Sequence, residues 1–231
     1  MKTVLFVCTS CRSCGPAGEG PAGMWFDEFA EACRIFLDAG YRVATASPVG
    51  GEIPLAPGSG NGVAAGIRAD DPRLKSSKPL ERIDPNEFEA LYYPGGPGPM
   101  WDLAVDNCNA RLLSAFFACG KVIGAVCRGP AALLRSRRRD GYPVIHDRRM
   151  TGISDREEQA TDMARRRPFS LERRLRSGGA YYSQREPGTE YVVTDGNLVT
   201  GQNHASAGAA AATMLELMHP AEIITLSARA W

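Results

Sequence analysis

The chain has 231 residues, 44% of them hydrophobic, and a formal net charge of +1. That size and composition suit one globular domain spanning 1–231 with a full core, and they exclude a disordered chain. The near-neutral balance gives no general attraction to nucleic acid or an anionic membrane, and no apolar run reaches the ~18 residues of a membrane span.

In chain order, Thr3 to Cys8 reads as a buried first strand. Its apolar run is too short for a signal-peptide core, so a cytoplasmic protein is expected. The loop from Thr9 to Gly23 carries the run Cys8-Thr9-Ser10-Cys11-Arg12-Ser13-Cys14. Its spacing is that of a metal or iron–sulfur site, but no companion C-x-x-C or H-x-x-H follows. No metal is expected; the thiols read as loop residues at a pocket rim, with a redox pair of Cys11 with Cys14 or Cys127 as the alternative. The seven cysteines, an odd number, do not form a disulfide scaffold.

Met24 to Ala39 is a predicted helix, with Trp25, Phe29, Ala32, Cys33 and Phe36 on its apolar face and Gly40 ending it. Tyr41 to Ser47 is the second strand. Residues 52 to 85 form a polar insertion with one short helix at most. Glu89 to Tyr93 is a third strand stopped by Pro94-Gly95-Gly96-Pro97-Gly98, and Asn109 to Cys119 is a helix.

Lys121 to Val126 is an apolar strand that presents Cys127, then Arg128, Gly129 and Pro130, then a helix-compatible stretch from Ala131 to Leu134. Strand, sharp turn, helix is the order of a nucleophile elbow. A helix N-terminus there would favour the thiolate and lower the thiol from its free value near ~8.5. The bland alternative is a buried cysteine ending a core strand.

Tyr142 to Ile145 and Arg149 to Thr151 are short extended pieces, and Glu157 to Met163 and Ser170 to Ser177 look helical. Tyr191 to Thr194 and Leu198 to Thr200 make a hairpin around Asp195-Gly196. Ala205 to Met218 is an Ala-rich helix, and 219–231 is a tail without assignment. The arginine runs at 137–139 and 165–167 read as solvated faces. Strands alternating with helices imply an α/β fold with a mainly parallel sheet, whose ligands gather beyond the carboxyl ends of the strands. Glu28, Gly95-Gly96 and Cys127-Arg128 then share one site.

Several segments together resemble the ThiJ/PfpI (DJ-1-like) superfamily, closest to its heat-shock chaperone and glyoxalase III-type branch. They are Gly23-Met24-Trp25-Phe26-Asp27-Glu28, Pro94 to Leu103, Ala125 to Leu133, Thr151 to Glu158, Pro168 to Glu172 and Thr200 to Asn203. The resemblance implies a class I glutamine amidotransferase-like, flavodoxin-like fold: a three-layer sandwich, assembled as a homodimer and needing no cofactor. It implies Cys127 as nucleophile, Glu28 as its carboxyl partner, and amides of Gly95, Gly96 and Arg128 as an oxyanion hole. Trp101 and His204 are the further expected substrate contacts. That branch usually has histidine where this chain has Arg128 and Pro97, so the Cys-His-Glu triad is absent and Glu158 is expected to pair with Arg128. A guanidinium cannot act as a general base. The implied function is a cysteine-dependent lyase or hydrolase acting on a small electrophile such as an α-oxoaldehyde, and a specialised secondary-metabolism member is one form of it. A stress chaperone or redox sensor, or an inactive relative, is the alternative.

Overall fold

The computed structural model describes residues 2–15, 18, 20–59, 67–161 and 163–219. Part of the polar insertion (60–66) and nearly all of the C-terminal tail (220–231) lie outside these.

A seven-stranded sheet forms the middle layer. Its strands are β1 (Thr3–Val7), β2 (Arg42–Ser47), β3 (Lys78–Pro79), β4 (Ala90–Tyr93), β5 (Val122–Val126), β6 (Val192–Asp195) and β7 (Leu198–Gly201). They lie in the order β6-β7-β5-β4-β1-β2-β3. Every pairing is parallel except the β6–β7 hairpin. The polar insertion thus supplies an edge strand, not only a loop. A two-residue strand ending in proline fits there because an edge leaves the missing N–H unneeded.

The helices are α1 (Phe26–Asp38), α2 (Pro72–Lys75), α3 (Asn107–Ala118), α4 (Asp155–Gln159), α5 (Met163–Arg166), α6 (Leu171–Ser177) and α7 (Ala207–Met218). The strands are buried on both faces, so side-chain alternation divides the core in two. Val4, Phe6 and Tyr92 face α1 and α7, whose Phe29, Cys33, Phe36, Ala210 and Met214 cover them. Leu5, Leu91, Tyr93 and Ile123 face the other way, onto Leu113 and Phe116 of α3 and Leu171 and Leu175 of α6. This is the three-layer α/β sandwich the sequence implied. No helix among the described residues is long and apolar enough to cross a membrane.

Three local readings need correction. Trp25 precedes α1 as its N-cap and does not lie on its buried face. Residues 142–145 form turns around an isolated bridge from Arg137 to Pro143 and no strand of their own. The segment after the elbow is a 3-10 turn, Gly129–Leu133, too short and too tight to be an α-helix. It therefore brings no helix macrodipole to Cys127.

Candidate active site

Cys127 follows β5 and takes φ 57°, one of two non-glycine residues described with a positive φ. Such a backbone costs a β-carbon residue energy and persists only where its surroundings over-determine it. Here the clamps are identifiable. The Cys127 N–H donates to Gly201 O of β7, and its carbonyl accepts from the Ile153 N–H. Buried Asn109 of α3 donates to the Ala132 carbonyl and accepts from the Tyr93 hydroxyl, which ties the 3-10 turn to the sheet. The side chain that results points off the sheet's carboxyl edge and lines a cleft of about 640 Å3.

Glu28 reaches the same cleft from the first turn of α1 and is buried. Its Oε2 accepts from the Gly95 N–H at 2.5 Å. Its Oε1 is buried with no hydrogen-bond partner among the described residues. Burial raises its pKa to about 7, against the opposing pull of the Gly95 N–H, the nearby Cys127 thiol and Arg128. Gly95 has to be glycine: a β-carbon would stand 2.7 Å from Glu28 Oε2, 2.8 Å from Cys127 Cβ and 2.9 Å from the Arg128 nitrogen.

Arg128 donates from Nε and Nη2 to the two oxygens of Glu158, at 2.9 and 3.0 Å, and both side chains are almost fully buried. Its Nη1 lies 4.0 Å from Cys127 Sγ. Burial works against the guanidinium charge, but Cys127, Glu158 and Glu28 hold its pKa above the usual range. The expected Arg128–Glu158 pair is therefore formed, as a bidentate clamp beside the thiol.

The expectation of a depressed thiol pKa is not met. Burial, then the Glu28 carboxylate, push the Cys127 thiol well above its ordinary value, and Arg128 only partly opposes them. The resting site holds a thiol beside a carboxyl group poised near neutrality.

The expected oxyanion donors also change. The Gly95 N–H is committed to Glu28, whereas those of Gly96 and Arg128 have no protein acceptor among the described residues. Trp101 does not line the cleft; it packs on the core layer of α3. His204 does line it, exposed at the start of a short 3-10 turn, and makes no hydrogen bond to Cys127. Of the loop thiols, Cys14 is buried with its Sγ donating to Pro21 O, and Cys11 donates to Ser13 O.

Two contributors were not singled out from the sequence. Glu157 lines the cleft and closes a capping box with Ser154 at the start of α4. Burial opposes its ionisation, but hydrogen bonds from Asn203, the Gly188 N–H and Ser154 outweigh that and hold its carboxyl below the usual range. The Ser-x-x-Glu spacing was the available signal. Arg166 of α5 also lines the cleft, from a run that looked merely solvated.

A strained cysteine elbow on the carboxyl edge of a parallel sheet, with a buried glutamate from the first helix beside it, defines a protein of the class I glutamine amidotransferase-like kind. The chain belongs to the DJ-1/PfpI family, which it matches over residues 26–218. It is 37% identical over 150 residues to the Homo sapiens glutamine amidotransferase-like class 1 domain-containing protein 1, covering 64% of this chain and 68% of that protein. It is 25% identical over 222 residues to glyoxalase 3 of Candida albicans, covering 90% and 94%. Among solved structures it is similar to the Francisella tularensis rapid encystment protein 24 kDa. There the TM-score is 0.87 and the identity 32%, over 94% of this chain and 99% of that one.

Proposed function

We propose that this protein is a cofactor-independent cysteine enzyme of glyoxalase III type, converting an α-oxoaldehyde to a 2-hydroxy acid. The observation that carries the reading is Cys127 at φ 57°, lining a cleft beside a buried Glu28 whose pKa is raised to about 7. A general base works best when its pKa lies near the operating pH. Its likeness to glyoxalase 3 of Candida albicans over most of both chains supports the same reading.

The steps follow from the groups present. Cys127 Sγ adds to the aldehyde carbon and gives its proton to Glu28. The oxyanion that forms is held by the Gly96 and Arg128 N–H groups, the two left without protein acceptors. Arg128 Nη1, 4.0 Å from the sulfur, stabilises the charge that develops there as the proton leaves. Glu28 returns that proton to the oxyanion, which gives the hemithioacetal and leaves its own carboxylate free to carry the proton of the former aldehyde carbon to the neighbouring carbon. The hydroxyl proton passes to the neighbouring oxygen, and a thioester results. Water releases the 2-hydroxy acid and restores the thiol. No step needs the missing histidines, because the carboxyl group beside the thiol takes their acid–base part. Arg128 acts as a fixed cation braced by Glu158.

An oxidation sensor is the weaker reading, because it needs an exposed, readily ionised thiol, and Cys127 is buried with its pKa pushed up. The test is consumption of methylglyoxal and phenylglyoxal by the wild type and by Cys127→Ala, with the product identified. Formation of the 2-hydroxy acid, lost in the variant, is the expected result. Turnover that survives in Cys127→Ala sinks the mechanism. Absence of turnover with a rapidly alkylated Cys127 sinks the substrate assignment.

A further inference from the structure

The cleft is far larger than a three-carbon dicarbonyl requires. At about 640 Å3 it falls among cavities that enclose drug-sized ligands. Its walls are largely apolar: Pro21, Trp25, Pro57, Pro97, Ile153 and Pro187 line it. The prolines and the Trp25 ring are stiff groups that suit a flat or ring-shaped apolar body.

The charges in the cleft are unequally matched. Arg128 is neutralised by Glu158. Glu157 is held by Asn203, the Gly188 N–H and Ser154. Glu28 and Cys127 are the groups of the proposed reaction, and His204 is exposed on the lining. Of the two arginines on the lining, Arg166 is exposed and forms no ion pair with any described residue. Its neighbour in sequence, Arg167, is by contrast paired with Asp155 at 2.6 Å.

Arg166 also lies close to Gly20. Of the short antiparallel pair Ser13–Cys14 and Gly20–Pro21, Pro21 lines the cleft. A β-carbon on Gly20 would stand 3.1 Å from Arg166 Nη1 and 3.4 Å from its Cδ. The guanidinium lies where Gly20 has no side chain, next to cleft-lining Pro21. An unmatched guanidinium at the edge of an apolar cavity is a recognition element for a carboxylate, which it can grip with two N–H groups.

We infer that the substrate of this site is an α-oxoaldehyde on a ring-sized apolar body ending in a carboxylate, and that Arg166 selects it by gripping that carboxylate. The inference rests on the reaction proposed above. Arg166 is a specificity residue here, remote from the bonds that change.

The experiment compares initial rates on methylglyoxal, phenylglyoxal and 4-carboxyphenylglyoxal for the wild type, Arg166→Gln and Arg166→Lys. The expected order of kcat/KM is carboxyphenylglyoxal, then phenylglyoxal, then methylglyoxal. In Arg166→Gln the ratio of carboxylated to plain aromatic substrate should fall by about tenfold or more, chiefly through KM, and Arg166→Lys should restore part of it. Methylglyoxal as the best substrate, or an unchanged ratio in Arg166→Gln, overturns the inference. A second arm does not depend on turnover: 4-acetylbenzoate and acetophenone, which differ only in the ring carboxylate, are tested as protectants of Cys127 against iodoacetamide. Stronger protection by 4-acetylbenzoate, lost in Arg166→Gln, supports the substrate class even if no oxoaldehyde is converted, and only the reaction then falls. Equal protection by both, or none by either, overturns the inference whatever the kinetics.

Discussion

Two strands of the same sheet end in a buried cysteine, and they end differently. β1 runs Thr3–Val7 into Cys8, and β5 runs Val122–Val126 into Cys127. Both cysteines donate their N–H to a neighbouring strand, Cys8 to Ala46 O and Cys127 to Gly201 O. Both thiols are raised in pKa by burial. Cys8 makes no left-handed turn and packs in the layer with Phe6, Met24 and Cys33, so its sulfur is simply a small apolar group. Cys127 turns to φ 57°, and its sulfur meets Glu28 and Arg128 on a cleft. Burial and strand position are shared, so neither sets Cys127 apart. The backbone turn and the carboxyl neighbour do, and the proposed nucleophile rests on them.

The largest expected effect tests that contrast directly. Cys127→Ala should lower kcat/KM by about three orders of magnitude or more. Cys8→Ala should leave turnover at the wild-type level in the same assay. Equal losses would mean that the two strand ends are not functionally distinct.

The next effect removes the neighbour and keeps the turn. Glu28→Gln should lower kcat by about 10^2 to 10^4, and the rise of the wild-type rate through pH about 7 should vanish with it. A variant that keeps the pH-dependent rise would place the base elsewhere.

The Arg128 clamp should show in stability before it shows in rate. Arg128→Met leaves the Glu158 carboxylate buried and unpaired, and should cost about 3–5 kcal/mol in denaturant unfolding. A cost near zero would show that Glu158 takes up a proton or reaches water in the variant.

Glu28 also makes a prediction about stability and pH. Its carboxyl titrates near 4.5 when unperturbed and at about 7 in the folded protein. Between those values the folded state keeps a proton that the unfolded chain has released. This contribution is therefore full below about pH 4.5 and is lost as pH rises through about 7. Glu28→Gln should gain stability relative to wild type across that window. A difference independent of pH would mean that Glu28 is not held protonated. The smallest effect returns to Cys8: Cys8→Ala should cost only about 1 kcal/mol, as a small void in a packed layer.

Much of this was legible in the chain. Unbroken apolar runs marked β1, β4 and β5 because strands buried on both faces show no alternation. Asp195-Gly196 marked the β6–β7 hairpin, observed as Val192–Asp195 paired with Leu198–Gly201. The pairing of Arg128 with Glu158 could be anticipated once histidine was seen to be absent. What was not legible depends on close approach through space. The fate of the Gly95 N–H is set by Glu28, distant in sequence. The state of the thiol is set by how deeply the layers bury it, which composition does not reveal. The sequence put Trp25 on a buried helix face and Trp101 at the substrate, but Trp101 joins the core layer of α3 and Trp25 lines the cleft. Arg166 was hidden in a run of like residues, and its place on the cleft lining separates it from them.

The hydrogen bond from the Cys127 N–H to Gly201 O has a consequence in time. The chain emerges from the ribosome N-terminus first, so the elbow is synthesised well before the strand that clamps it. Until β7 has been made and has docked beside β5, the Cys127 amide lacks this partner and the left-handed turn lacks one of its two backbone clamps. The nascent protein therefore carries its thiol without this clamp while residues 128–201 are being made. The geometry of the elbow comes into being only once the sheet is nearly whole.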